Sequence, residues 1–323
     1  MTKYVLTDES KAFIDIVEEA TRTGRRKPYH ELEIAEAREA SLQTAKKFGG
    51  SYEFIGNIKN INVPVPHLQD GIEVRIYQPH GCQDNPPVWI YFHGGGGCVG
   101  SRDTVDTVCR SISSQGKFVV ANVEYRLGPE HPYPAYIHDA TSVTKWIMQN
   151  KVEIGGGEQS IVGVGGDSHG GNVATTVCHE VKGLDYQVLI FPSVDLSFSY
   201  PSHKELSTGY LLESVTCEWF MDRLCTTPAH RFETFGSCIR REDSSFIGQP
   251  PCFLLITECD LLRDEGLAYG EKLKAAGVFV ETLFLKGTVH AFFHLPDFFK
   301  KTCKISYDKI VEFIQSQAAK TTS

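Results

Sequence analysis

The stretch that decides the reading is Gly165-Gly166-Asp167-Ser168-His169-Gly170-Gly171-Asn172. Before it lies Ile161-Val162-Gly163-Val164, a short β-branched run. After it, Val173, Ala174, Val177, Cys178 and Val181 recur at the spacing of one helix face. A strand, a Gly-x-Ser-x-Gly turn and a helix form the context in which a serine hydroxyl is presented at a helix N-terminus. The glycines allow the sharp turn and the close approach of helix and strand. With 29 glycines in the chain, the same pattern also arises by chance in a glycine-rich loop. Partners elsewhere in the chain have to decide between the two.

The chain around this turn has 323 residues, 41% of them apolar, long enough to bury about three quarters of its unfolded surface in one core. No linker or low-complexity segment divides it, which predicts one domain over residues 1–323. The net charge of −8 and the scattered Lys and Arg exclude a nucleic-acid face. The short cluster Arg25-Arg26-Lys27 is expected to be a solvated turn before Pro28. Residues 1–9, Met1 to Glu9, lack the apolar core of a signal peptide. No run of eighteen apolar residues is present to span a membrane. Ten cysteines without a Cys-x-x-Cys, and no Asn-x-Ser/Thr sequon, predict reduced thiols in the cytoplasm.

Outward from the serine, strands and helices alternate. Strands are expected at Val88–Phe92, Phe118–Val123, Ile161–Val164, Gln187–Phe191, Phe253–Thr257 and Val280–Leu285. Helices are expected near 103–115, 136–150, 170–182, 264–276 and 298–317. An opening hairpin runs from Phe54-Ile55 to Val65, turns at Gln69-Asp70-Gly71 and returns along Ile72–Tyr77. With that hairpin the α/β pattern predicts a mostly parallel, mixed sheet of eight strands with helices on both faces. Two amphipathic segments precede it, one with Phe13, Ile16, Val17 and Ala20 on a face, the other with Leu32, Ala35, Glu36 and Glu39, which are mixed in character and give it no clear buried side. About sixty residues between Phe191 and Phe253 carry no clear strand. They hold Tyr210, Leu211, Leu212, Trp219, Phe220 and Met221 in a helical pattern. This insertion (about 196–245) and residues 1–50 are the expected helical cap.

The chemistry follows the order serine, acid, histidine. Asp260 stands just past the strand Phe253–Thr257 and is the first choice for the acid. Asp264, placed to cap the next helix, and Asp195, after the preceding strand, are its competitors. His290 follows the last strand and is the candidate base, with His294 one helical turn beyond as rival. In these roles His290 takes the Ser168 proton and Asp260 orients the imidazole. The loop His93-Gly94-Gly95-Gly96-Gly97 follows the strand Val88–Phe92. Without Cβ atoms it can aim backbone N–H groups, with that of His169, at a developing oxyanion. As a phosphate cradle it lacks a Gly-Lys-Ser/Thr ending. No metal-ligand spacing and no cofactor fingerprint is present.

These motifs together resemble the hormone-sensitive-lipase-like family of α/β-hydrolases, which includes arylacetamide deacetylases and many carboxylesterases. The likeness runs in order through His93-Gly94-Gly95-Gly96 and residues 125–135, Tyr125 to Ala135. It continues through Gly166–Asn172, Asp260-Leu261-Leu262-Arg263-Asp264-Glu265 and His290-Ala291-Phe292-Phe293. The resemblance implies the α/β-hydrolase fold, a Ser168–Asp260–His290 triad, and Gly95, Gly96 and His169 as oxyanion donors; the amide of Gly94, in the same glycine loop, is counted with them in the expected oxyanion hole. It also implies a cap over an acyl pocket and no cofactor. The candidates for substrate contact are His93, Tyr210, Trp219 and Phe220. Two departures stand out. His169 replaces the family's usual alanine, and the N-terminal membrane anchor of the animal deacetylases has no counterpart.

The expected function is hydrolysis of small, moderately hydrophobic carboxylic esters, with aryl amides or acetyl groups as related substrates. The protein is expected to act as a monomer or homodimer, without nucleic-acid or membrane partners. The alternative is a non-catalytic small-ligand receptor on the same scaffold. The resembling gibberellin receptors have lost the histidine that His290 retains, which favours an enzyme.

Overall fold

The computed structural model describes residues 4–321. The first three residues of the N-terminal stretch, where no signal peptide was expected, lie outside the described residues. So do the extreme ends of the expected 1–323 domain and of the cap.

Nine α-helices and eight strands are present among the described residues. In chain order they are α1 (Asp8–Arg22), α2 (Ile34–Phe48), β1 (Gly56–Val65), β2 (Leu68–Pro79), β3 (Val88–Phe92), α3 (Asp106–Gly116), β4 (Val119–Val123), α4 (Ala135–Gln149), β5 (Val162–Asp167), α5 (His169–Glu180), β6 (Tyr186–Ile190), α6 (Pro201–Glu205), α7 (Ser214–Leu224), β7 (Cys252–Cys259), α8 (Arg263–Ala275), β8 (Val280–Val289) and α9 (Lys300–Thr321). The strands form one sheet in the order β1-β2-β4-β3-β5-β6-β7-β8. The pairs β1–β2 and β2–β4 are antiparallel and the rest parallel. This is the mixed sheet with α/β connections that the alternation predicts.

Alternation within the strands sorts side chains onto two faces. Val88, Ile90 and Phe92 of β3 pack with residues of α4, α5 and α8. Trp89 and Tyr91 pack on the other side with α1, α3 and α9. Every residue of β3 through β6 is buried. That double burial is why these strands read as continuous apolar runs.

Four local expectations are corrected. The hairpin turns at Pro66-His67, where Val65 faces Leu68, and Gln69-Asp70-Gly71 lie inside β2. Gly71 marks a bulge there: its φ is +70°, and a Cβ would come within 2.4 Å of the Val63 carbonyl oxygen. In α1, Phe13 and Ile14 are buried while Ile16 is exposed. In α2 the buried residue is Ala37, flanked by partly buried Ile34 and Arg38, whereas Ala35, Glu36 and Glu39 face solvent. Finally, Tyr210–Leu212 do not continue a helix, because α7 begins only at Ser214. Between Ile190 and Cys252 no described residue is in a strand.

Candidate active site

The turn between β5 and α5 is tight enough that its glycines have no substitute. A Cβ on Gly166 would lie 2.3 Å from the Phe92 carbonyl oxygen, and one on Gly170 would lie 1.9 Å from the same atom. Between them Ser168 adopts φ +55° and ψ −120°, a strained conformation costing about 1–3 kcal/mol. The strain lifts the serine hydroxyl off the C-terminal edge of the sheet, where βα loops converge in such folds.

The loops after β7 and β8 meet it there. His290 Nε2 is 2.9 Å from Ser168 Oγ, and His290 Nδ1 is 2.7 Å from Asp260 Oδ2. An ionised carboxylate only accepts, so the imidazole proton sits on Nδ1 and Nε2 is left to accept the serine O–H. The Phe191 ring packs against the imidazole at 4.6 Å between centroids and limits its swing. Thr257 Oγ1 donates to Asp260 Oδ2 at 2.8 Å, and the Leu262 N–H donates to Oδ1 at 2.9 Å. Burial opposes ionisation of Asp260, yet His290 and these hydrogen bonds hold its carboxyl below the usual carboxylate range.

The competing residues have other partners. Asp195 pairs with Arg240 Nε at 3.0 Å and accepts from the hydroxyls of Ser197 and Ser199. Asp264 accepts from Arg263 and from the Ser202 N–H at 2.9 Å, tying α8 to α6. His294 Nε2 stands 2.8 Å from Asp167 Oδ2, close but off the line of a good hydrogen bond.

Asp167 has a role that spacing did not reveal. It is buried beneath the serine, where Tyr91 Oη donates to its Oδ1 at 2.6 Å and the Gly94 N–H donates to the same oxygen at 3.0 Å. The expectation that Gly94 offers its amide to a substrate is corrected, because Asp167 already holds that N–H. Gly95 and Gly96 differ. Their φ values are +118° and +60°, and their N–H groups meet no acceptor among the described residues. His169 is the first residue of α5, where the amide has no helical carbonyl to pair with. Burial opposes ionisation of Asp167 as well, but His294 and Tyr91 hold its carboxyl low.

Two buried, depressed carboxyls carry a sign for stability. The unfolded chain binds protons at aspartate near pH 3.9, before the folded one does, so stability rises with pH across that window. Asp167 and Asp260 therefore contribute stability above about pH 4 that is lost as pH falls through their folded pKa values. Urea midpoints measured from pH 5 down to pH 2 should fall, and Asp167→Asn should flatten the curve. An equally steep curve in that variant would remove Asp167 from the account.

A narrow apolar cleft runs from Ser168 between Gly96, Phe198, Leu212, Cys217, Phe220 and Met221. Of the residues expected to touch substrate, Phe220 lines it. Trp219 does not: it is buried under Arg223, whose guanidinium carbon sits 3.9 Å from the ring centroid. Tyr210 packs edge-on against Tyr4 at 6.3 Å. His93 is wholly buried, stacked on Tyr125 at 4.5 Å, with Nδ1 2.8 Å from the Gly94 carbonyl oxygen. It shapes the glycine loop from behind. Phe198, Cys217 and Ser193 were missed, although the loop after β6 lies at the same sheet edge as the serine. The Ser193 N–H donates to the Ser168 carbonyl at 3.0 Å.

His169 also borders the cleft. Its ring lies against Tyr136 at 4.7 Å, and its Nε2 is buried without a partner. Burial, with His93 nearby, pushes its pKa down to about 3, so the ring is neutral at working pH. Among the described residues no cluster of His, Cys, Asp and Glu could hold a metal ion. No helix among them is long and apolar enough to cross a membrane.

Residues 89–294 match the family model described as alpha/beta hydrolase fold. The chain is 32% identical to an ethyl acetate hydrolase of Pseudomonas putida over 90% of its own length and 92% of the relative. It is 34% identical to the carboxylesterase NlhH of Mycobacterium tuberculosis over 81% and 82%. Among solved structures, an ester hydrolase from the metagenome of Lake Arreo superposes with a TM-score of 0.91 at 30% identity, covering 98% of this chain and all of that one. A thermostable esterase from Pseudomonas putida superposes at 0.89 and 27% identity, covering 98% and 99%.

Proposed function

Because the chain belongs to the hormone-sensitive-lipase-like family of α/β-hydrolases, we propose that it is a carboxylic ester hydrolase working through an acyl-serine intermediate. The observation that carries this reading is the hydrogen-bonded line Asp260–His290–Ser168 at the mouth of an apolar cleft. Esterases among its relatives and structural neighbours support an enzyme over a receptor.

In this reading His290 Nε2 takes the proton of Ser168 as Oγ attacks the ester carbonyl. Asp260 stabilises the imidazolium. The amides of Gly95, Gly96 and His169 receive the oxyanion. His290 then protonates the leaving alcohol and later activates water to release the acid. α1 and α2, with the segment from residue 196 to 245, act as the cap. Support comes from Phe198 and Phe220 in the cleft wall and from Tyr29, whose ring meets Phe220 at 6.0 Å. The cleft is narrow and closed in by Phe198, Leu212, Phe220 and Met221, which favours short acyl groups. Aryl amides and acetylated compounds are secondary substrates of the same site. Ten free thiols, most of them buried, suit a reducing cytoplasm, where the protein is read as a monomer or homodimer.

The test is a p-nitrophenyl ester series, with acetate and butyrate expected to be cleaved and palmitate not. Labelling of Ser168 by an organophosphate, read by mass spectrometry, tests the nucleophile. A protein that binds these esters without turning them over would be the receptor instead.

The series also tests His169. Truncating its ring in His169→Ala opens space beside Tyr136 and the cleft. The ratio of kcat/KM for hexanoate over acetate should rise about tenfold, the scale of one extra methylene accommodated. Unchanged ratios would remove His169 from substrate choice.

A further inference from the structure

The loop that carries the Gly95 and Gly96 amides is fixed at both ends by charged side chains from other parts of the fold. At its near end Asp167 accepts the Gly94 N–H. At its far end stands Arg38, a residue of α2 lying 60 positions earlier in the chain. Its Nε donates to the Cys98 carbonyl oxygen at 2.9 Å, and its Nη2 donates to that of Gly128 at 2.9 Å. The Gly128 N–H in turn donates to the Gly97 carbonyl oxygen at 2.8 Å. One guanidinium therefore grips the loop twice, directly at Cys98 and through Gly128 at Gly97. Glu130 accepts from Nη1 at 2.8 Å and from Nη2 at 2.6 Å, which fixes the plane of the fork.

The loop needs such a grip. Gly95, Gly96 and Gly97 all have positive φ, and glycine gives the unliganded backbone more freedom than any other residue. Two amides without acceptors gain by turning toward water or a neighbouring carbonyl. A donor that drifts by about 1 Å from the developing charge forfeits much of its effect.

We propose that Arg38 is a positioning residue for the oxyanion loop, through which α2 holds the Gly95 and Gly96 amides toward Ser168. The proposal rests on the ester-hydrolase reading above. Arg38 touches no reacting atom. Its planar fork reaches two carbonyls and a carboxylate at once, which a lysine ammonium on one stem does not reproduce.

The experiment compares Arg38→Ala and Arg38→Lys with the parent on p-nitrophenyl butyrate. It also measures the Ki of an alkyl trifluoromethyl ketone, whose serine adduct places an oxyanion against the loop. In Arg38→Ala, kcat should fall about 10- to 100-fold with KM within a factor of two, and the ketone Ki should rise by the same factor as kcat/KM falls. Arg38→Lys should fall between, and millimolar ethylguanidinium should restore part of the Arg38→Ala rate. A lowered Tm with unchanged kcat and unchanged ketone Ki overturns the proposal. So does a raised KM at constant kcat. Should Arg38→Ala not fold, parent-like kcat and Ki in Arg38→Lys overturn it equally. A parent without ester turnover would instead refute the ester-hydrolase reading, so the two failures are distinct.

Discussion

Ser168→Ala protein is expected to turn over p-nitrophenyl butyrate about 10⁶-fold more slowly than the parent while remaining folded. The loss is large because the other groups have nothing to act on without Oγ. His290 can still polarise a water, but that water is neither aligned nor held at attack distance. The remaining rate comes from the amides that bind the oxyanion and from substrate binding alone. No second hydroxyl in the cleft has a base: Ser193 lies nearby, but His290 reaches Ser168. Stability should change little. The side chain gives up one hydrogen bond, a net effect of about 1 kcal/mol. Alanine inherits the same positive φ, so the strain at this position is neither relieved nor increased. The measurement pairs steady-state kinetics with a urea midpoint. A variant within tenfold of the parent rate, with a parent-like midpoint, would place the nucleophile elsewhere.

The serine was legible for reasons that are local. Its strand is a β-branched run, its turn needs glycines at fixed offsets, and its helix carries apolar residues on one face. Each signal is confined to about twenty residues, and the same holds for β3, β7 and the loops bearing Asp260 and His290. What escaped the sequence depends on contacts between distant segments. Asp167 stands beside the serine, yet only the fold shows that it is spent on Gly94 and Tyr91. Arg38 belongs to no motif and no spacing in the sequence marks it. Its value comes from carbonyls 60 and 90 residues away. Trp219 and Phe220 are adjacent and equally apolar, and helix phase alone decides that one faces the cleft and the other lies under Arg223. Gly71 carries the same ambiguity in miniature. Glycine with positive φ serves a turn or a bulge alike, and the register against Val63 selects the bulge.

Asp260→Asn is the other substitution with a large expected effect, a loss of about 10⁴ in kcat at neutral pH. The argument is one of hydrogen-bond polarity. In the parent, Oδ1 accepts the Leu262 N–H and Oδ2 accepts from both His290 Nδ1 and Thr257 Oγ1. Asparagine has one oxygen and one NH₂. The Leu262 amide is a fixed donor, so the asparagine oxygen must take that side. Its NH₂ then faces His290 Nδ1, while the Thr257 hydroxyl can rotate to accept. Nδ1 becomes an acceptor and the ring proton moves to Nε2, where it blocks removal of the Ser168 proton. Shape and packing are kept, so KM should stay near the parent value and the loss should fall on kcat. Asp195→Asn and Asp264→Asn provide the contrast. Each breaks an ion pair, with Arg240 or Arg263, and should lower the urea midpoint while leaving kcat within a few-fold. A 10⁴-fold loss in either of these, with a mild effect at Asp260, would move the acid of the site to the other aspartate.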